Sequence, residues 1–232
     1  MKTTNVKAVD LNYDHYSSDK YDQYIINSIP AHKELHEGIV KFVRKGYIKS
    51  EEYSVLDLGV GTGITSKIIQ EELPGSRFDL VDFSKNMLDG AKKKFRDNSK
   101  VRYILADYSE MEFDREYDLV VSVIGFHHQT DIGKKKMFKK IYSLLNSGGI
   151  FVLGDLVTYK DRRKAALSSA LHFHQLVEKA SDKKTLEEWA FHHIELNKLS
   201  PLEDQVKWLE EVGFKVSVKM QKMNTVLIIC RK

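Results

Sequence analysis

The chain has one cysteine, Cys230, and three prolines in 232 residues. A lone thiol forms no internal disulfide. Set in the apolar run Val226-Leu227-Ile228-Ile229-Cys230, it argues against a zinc site or a thiol nucleophile. No apolar run approaches the roughly 20 residues that span a bilayer, and Met1-Lys2-Thr3-Thr4-Asn5 lacks the apolar segment of a signal peptide, so a cytoplasmic protein is expected. Neither sign of charge dominates, with 37 Lys and Arg against 33 Asp and Glu. That balance is no nucleic-acid footprint, and direct nucleic-acid binding is not expected. The basic runs Lys92-Lys93-Lys94 and Lys134-Lys135-Lys136 read as solvated helix faces. Repeats, low-complexity tracts and flexible linkers are also missing, which favours a single domain.

What remains is an alternation of short β-branched runs with amphipathic stretches, the pattern of a parallel sheet covered by helices. Strands are expected at Ser54–Leu58, Arg77–Val81, Val101–Ala106, Leu119–Val123 and Ile150–Gly154. Helices are expected between them at Ile64–Leu73, Lys85–Arg96 and Lys134–Leu145. Gly148-Gly149 reads as a turn into the fifth strand. A helix at Leu202–Val212, stopped by Gly213, precedes strands at Phe214–Lys219 and Thr225–Ile229, whose short connection implies a hairpin and an antiparallel edge. Two helical regions fall outside this scheme. The division expected is an N-terminal cap over 1–50, a core over 51–158, an insertion or lid over 159–200, and a final helix and hairpin over 201–232.

Asp57-Leu58-Gly59-Val60-Gly61-Thr62-Gly63 joins the first strand to a helix. Glycines let backbone approach a ligand, and a helix N-terminus offers unpaired amides to an anion. The spacing does not fit a dinucleotide site, because Ile64 stands where G-x-G-x-x-G needs its last glycine. An acid two residues before the first glycine suits a zwitterionic ligand without pyrophosphate. Asp82, ending the second strand beside Phe83, is placed to accept two ribose hydroxyls. Asp107, after the third strand, can face an adenine amine, with Tyr108 or Phe83 against the ring.

With these features the chain resembles the class I S-adenosylmethionine-dependent methyltransferases over roughly residues 52–230. Val55–Gly63 resembles the first motif, Asp82 the ribose acid and Asp107 the adenine-side acid. Tyr117–Val123 resembles the fourth-strand motif, and Asn146–Phe151 the turn into the fifth strand with Ser147 replacing the usual proline. Glu211-Val212-Gly213-Phe214 resembles the late Gly-Phe turn. The resemblance implies a Rossmann-like α/β fold with strand order 3-2-1-4-5-7-6 and an antiparallel last strand. It also implies S-adenosylmethionine as cofactor, with S-adenosylhomocysteine as product. The expected cofactor contacts are Asp57, Gly59, Gly61, Gly63, Asp82, Phe83, Asp107 and Tyr108, completed by Met87 and Val123. Tyr16 and Tyr21 are candidates to close over them.

The acceptor side is less legible. Methyl transfer is an in-line displacement in which positioning supplies much of the rate. Ile124-Gly125-Phe126-His127-His128-Gln129 follows the fourth strand and should lie beside the methyl group. It lacks the Asn/Asp-Pro-Pro-aromatic motif of DNA amino-methyltransferases. His127 and His128 are the candidate general bases, since imidazole titrates near neutrality; packing or helix capping is the competing account. In the insertion, Tyr159, His172, Trp189 and His193 are assigned to an acceptor pocket. No metal is expected there: on a helix His172 and His174 point about 200° apart, and the adjacent His192 and His193 diverge. The favoured function is methylation of a small-molecule acceptor at N or O. A carboxy-S-adenosylmethionine synthase of tRNA modification, with Arg162-Arg163 as its cationic clamp, and a non-catalytic S-adenosylmethionine-binding protein are the alternatives. A homodimer is left open.

Overall fold

The computed structural model describes residues 18–47, 51–96 and 98–232. Helices α1 (Ser18–Ser28) and α2 (His32–Gly46) precede β1 (Ser54–Leu58), α3 (Ile64–Glu72), β2 (Arg77–Asp82), α4 (Lys85–Phe95), β3 (Val101–Leu105) and β4 (Tyr117–Val123). After a 3-10 turn at Phe126–His128 come α5 (Asp131–Leu144), β5 (Leu145–Leu156), α6 (Arg162–Lys179), α7 (Lys183–Phe191), a π turn (His192–Leu196), α8 (Leu202–Val212), β6 (Lys215–Lys222) and β7 (Thr225–Arg231). The seven strands form one sheet in the order β3-β2-β1-β4-β5-β7-β6. β1 to β5 pair in parallel, and β7 runs antiparallel to both β5 and β6. Class, order and edge direction are those expected from the sequence.

The central strands β1, β4, β5 and β7 are largely buried and apolar because each face of the sheet there is covered by helices. Val55, Leu119, Val121 and Val152 pack with Leu35 and Ile39 of α2, Ile69 of α3 and Leu88 of α4. Their neighbours Leu56, Val120, Phe151 and Leu153 point the other way, to Phe138 and Ile141 of α5 and Leu209 of α8. This is the period-two alternation of a strand, used twice.

Helix α2, within the expected N-terminal cap, packs into the core: Leu35, Ile39 and Val43 are fully buried, and Leu35 closes on the sheet where Gly154 offers no side chain, within 2.9 Å of where a Cβ would stand. Two local expectations change. The Gly148-Gly149 segment lies within β5, where the pairing jumps from Tyr117↔Leu145 to Leu119↔Ile150; the extra residues bulge out of the ladder. Helix α5 starts at Asp131, three residues early, because the Thr130 hydroxyl accepts the Gly133 N–H at 3.1 Å and caps it.

Lys134 therefore lies inside the first turns of α5, and it is not on a solvated face. It is fully buried, and its ammonium donates to the Lys198 carbonyl and the Ser200 hydroxyl, each at 2.6 Å. A buried lysine is tolerated where such acceptors replace water. The effect is to bind the chain after the π turn to the start of α5.

Candidate functional site

The cleft is built by the turn between β1 and α3. Gly59 and Val60 both donate their N–H to the Val81 carbonyl, at 2.9 and 3.0 Å, so the turn is pinned to the end of β2. Asp82 completes the join, one carboxylate oxygen accepting the Gly61 N–H at 2.8 Å and the other the Ser84 N–H at 2.9 Å. Ser84 in turn caps α4, its hydroxyl accepting the Met87 N–H at 3.3 Å.

Above these bonds opens a cleft of about 900 Å³. Gly59, Gly61, Asp82, Phe83 and Met87 line its base, and Asp107, Tyr108, Val123 and Tyr21 its sides. The sequence-assigned residues are thus brought together, with three exceptions. Asp57 is 2% exposed and turned away, its carboxylate accepting the Ser66 hydroxyl at 2.6 Å beneath α3. Burial pushes its carboxyl up to about 7; the Ser66 hydrogen bond opposes the rise and the nearby Asp82 adds to it. Gly63 is the residue before α3, packed on Ala91 and Phe95 rather than on the cleft. Tyr16 lies outside the described residues. Asp107 stands at the rim, one of its oxygens accepting both the N–H and the hydroxyl of Ser109 at 2.8 and 2.7 Å.

Helix α1 crosses this opening. Its Asp22 accepts the Thr62 hydroxyl from the glycine turn and Nζ of Lys94 on α4, the latter at 2.7 Å. Tyr21 and Ile25 face inward over the cleft, and His32 and His36 line its far wall. His36 bonds the His32 carbonyl through Nδ1 at 2.9 Å and the Thr65 hydroxyl through Nε2 at 3.0 Å. Burial lowers the pKa of both imidazoles, His32 to about 4 with the neighbouring His36 contributing.

The strand β4 leaves the sheet through Ile124, a β-branched residue at φ 55°. That conformation costs about 1–3 kcal/mol and is held only where the surroundings over-determine it. Here the Ile124 N–H is bonded to the Gly154 carbonyl at 2.8 Å. The following turn drives Phe126 into the core against Tyr108 and Phe138, with ring centroids 5.9 and 5.7 Å away. His127 and His128 are then held at the mouth of the sheet. His127 Nδ1 pairs with Asp155 of β5 at 2.6 Å, both side chains 2% exposed. Asp155 also accepts the Leu156 N–H at 2.8 Å. The pairing fixes Nε2 of His127 as the nitrogen that faces outward. His128 lines the cleft beside Gln129 and is hydrogen-bonded to the Leu196 backbone. Burial first, then the adjacent His127 and His192, hold it well below the usual histidine pKa.

A second pocket of about 430 Å³ adjoins the cleft, with Tyr21, Ile25 and Ile124 in the walls of both. His127 and Leu156 form its floor, and His172, Trp189, His192 and His193 its outer side. His172 is fully satisfied, Nε2 donating to the Ser28 carbonyl at 2.9 Å and Nδ1 accepting from the Asn224 amide at 2.8 Å. Trp189 packs edge-on to Tyr24 at 5.3 Å, and its buried Nε1 finds no acceptor among the described residues. Burial lowers His172 and His192 to about 3, so the rings are neutral. No lysine, arginine or carboxylate lines this pocket among the described residues.

Three of the four acceptor residues assigned from sequence meet here. Tyr159 does not: it is 4% exposed in the core under α8, its hydroxyl bonded to the Met223 carbonyl and its ring capped by Lys164 at 4.0 Å. His174 is exposed beside Glu178, as its place opposite His172 on the helix requires. Asp155 and His192 went unassigned. Asp155 had a visible signal, a lone acid in the apolar strand Ile150-Phe151-Val152-Leu153-Gly154-Asp155, whereas nothing local to His192 marks its approach to His128.

A glycine turn over β1, acids ending β2 and following β3, a reversed last strand and a cleft at the carboxyl ends of the strands give this chain the fold of the class I methyltransferases, with a cleft suited to S-adenosylmethionine as cofactor. The cleft fits that molecule: open backbone at Gly59 and Gly61, a carboxylate at Asp82 and the apolar Phe83, Met87 and Val123 all line it. Residues 55–149 match the family described as a methyltransferase domain. The chain is 35% identical over 99 residues to malonyl-(acyl-carrier protein) O-methyltransferase 1 of Ilyobacter polytropus, 43% of this chain and 36% of that protein. It spans between a third and a half of the length of the first several such relatives. It is 27% identical to the carboxy-S-adenosyl-L-methionine synthase of Helicobacter pylori, over 95% of this chain and 93% of that one. Among solved structures, the DhpI–SAH complex superposes with TM-score 0.63 at 17% identity, covering 94% of this chain and 93% of that chain. The CurJ carbon methyltransferase gives 0.68 at 18%, covering 97% and 61%; at such identities the likeness is one of fold.

Proposed function

We propose that this protein transfers a methyl group from S-adenosylmethionine to an N or O atom of a small, uncharged acceptor held in the histidine-lined pocket. The observation that carries this is the shared wall: Tyr21, Ile25 and Ile124 border both cavities, and His127, paired with Asp155, lines the second of them. When bound, the cofactor supplies an electrophilic methyl on a sulfonium sulfur. Gly59 and Gly61 receive its main chain, Asp82 its ribose hydroxyls, and Phe83, Met87 and Tyr108 its base. His127, oriented by Asp155, presents Nε2 to the acceptor and relieves it of its proton. Helices α1, α6 and α7 act as the lid that excludes water. Neutral walls support an uncharged acceptor, since a buried unpaired charge is costly.

The full-length likeness to carboxy-S-adenosylmethionine synthase supports a second reading. It requires a cation for the extra carboxylate. No lysine or arginine lines either cavity among the described residues, and Arg162 and Arg163 are exposed at the start of α6, so methyl transfer is favoured. Incubating the protein with methyl-labelled S-adenosylmethionine and fractionated metabolites separates the possibilities. Label in a small neutral molecule is expected. Label confined to RNA or an acyl carrier, or a cofactor heavier by a carboxyl group, refutes the proposal.

A further inference from the structure

Three histidines converge where the two cavities meet, and they come from two distant segments. Nitrogens of His127, His128 and His192 lie within 4.8 Å of one another. A tetrahedral ion at about 2.0–2.1 Å from each nitrogen asks for about 3.4 Å between them, a closure within the reach of small ring rotations. We propose that these three side chains bind one divalent transition-metal ion, Zn²⁺ or an ion of like preference, with its open coordination position facing the acceptor pocket.

Two of the three imidazoles are oriented by a hydrogen bond through another nitrogen, as metal-ligating histidines are. His127 gives Nδ1 to Asp155 at 2.6 Å, leaving Nε2 for the ion. His128 is hydrogen-bonded to the Leu196 backbone. His192 opens the π turn His192–Leu196, an irregularity concentrated at functional sites, and its ring stands edge-on to His128 with centroids 5.0 Å apart. The segment carrying it is bound back to the other two ligands: the Lys198 N–H donates to the His127 carbonyl at 2.7 Å, and Lys134 holds Lys198 and Ser200. Three imidazoles without a carboxylate or thiolate suit zinc, nickel, copper or iron over magnesium or calcium. His128 borders the cofactor cleft, and His127 and His192 border the second pocket. A donor atom of the acceptor completing the shell would therefore lie on the cofactor side. The proposal rests on taking that pocket as the acceptor site; with an ion bound, His127 Nε2 would be a ligand and no longer the base, and the ion would instead lower the pKa of the acceptor group it holds.

The test uses the tag-free full chain, titrated with Zn²⁺ by calorimetry and with Co²⁺ by visible absorption. One equivalent should bind at micromolar concentration or below, and Co²⁺ should give ligand-field bands. His192→Ala should weaken binding at least 100-fold, and His192→Gln keeps a polar side chain of similar reach should the alanine variant fold poorly. Asp155→Asn should cost about 10–100-fold, whereas His193→Ala, one residue from a ligand, should change affinity less than threefold. No binding at micromolar zinc, or an equal loss in the His192 and His193 variants, overturns the site. Because binding is read without turnover, zinc binding with no methyl transfer would refute the function and leave the site, and the converse would refute the site alone.

Discussion

Alanine at Gly61 and at Gly63 should separate cofactor binding from folding within one turn. Both residues hold positive φ, 56° and 84°, so each alanine carries about 1–2 kcal/mol of left-handed backbone strain. Their surroundings differ. A Cβ on Gly63 would meet the Ala91 Cβ and Phe95 ring at 3.2 Å, with Ala91 backbone at 3.4 Å, adding about 1–3 kcal/mol of overpacking. A Cβ on Gly61 has only the Tyr21 ring at 3.9 Å, across the space the cofactor is proposed to fill. At about 2–4 °C per kcal/mol for a chain of this size, Gly63→Ala should lower Tm by roughly 4–20 °C and Gly61→Ala by roughly 2–8 °C. Affinity should run the other way. A methyl on the wall at Gly61 should weaken S-adenosylmethionine binding about 10–100-fold, or about 1.4–2.7 kcal/mol, while Gly63→Ala binds normally once folded. Thermal melts with and without cofactor read both quantities, because a ligand of the native state raises Tm. If Gly61→Ala is stabilised by cofactor as much as the wild type, the turn is not the cofactor wall. If Gly63→Ala melts with the wild type, its packing on α4 is not as described.

Three further outcomes follow from the same geometry. Asp82→Asn should weaken cofactor binding by about 1.5–3 kcal/mol, the range for a hydrogen bond to a charged group; calorimetry giving an unchanged Kd would remove Asp82 from the site. Asp155→Asn should lower kcat about 10²–10⁴-fold with KM for cofactor unchanged, and a KM effect alone would make Asp155 merely structural. Asp57, raised to about 7 from 3.8, contributes stability fully present below about pH 4 and lost as pH rises through 7, roughly 4 kcal/mol in all. Asp57→Asn, still an acceptor for Ser66, should flatten that pH dependence and be the more stable protein at pH 8; parallel wild-type and variant melting curves from pH 4 to 8 would refute it.

The sequence alone determined the fold, the cofactor and most residues of its cleft, because those signals are local. A strand, its glycine turn and the following helix are one continuous segment, acids such as Asp82 and Asp107 end or follow their own strands, and two apolar faces per strand require helices on both sides. Where the signal was equally local but its outcome depended on packing, the tertiary structure decided. Asp57 turned under α3 to Ser66, Tyr159 entered the core, and Lys134 was buried by acceptors more than sixty residues away in the chain. The acceptor side depended most on that structure. His127 meets Asp155 across 28 residues of chain, and His192, at the start of the π turn that follows α7, reaches His128 across more than sixty. Periodicity and spacing describe neighbours along the chain, whereas a pocket of histidines from separate segments exists only after the sheet has brought those segments together.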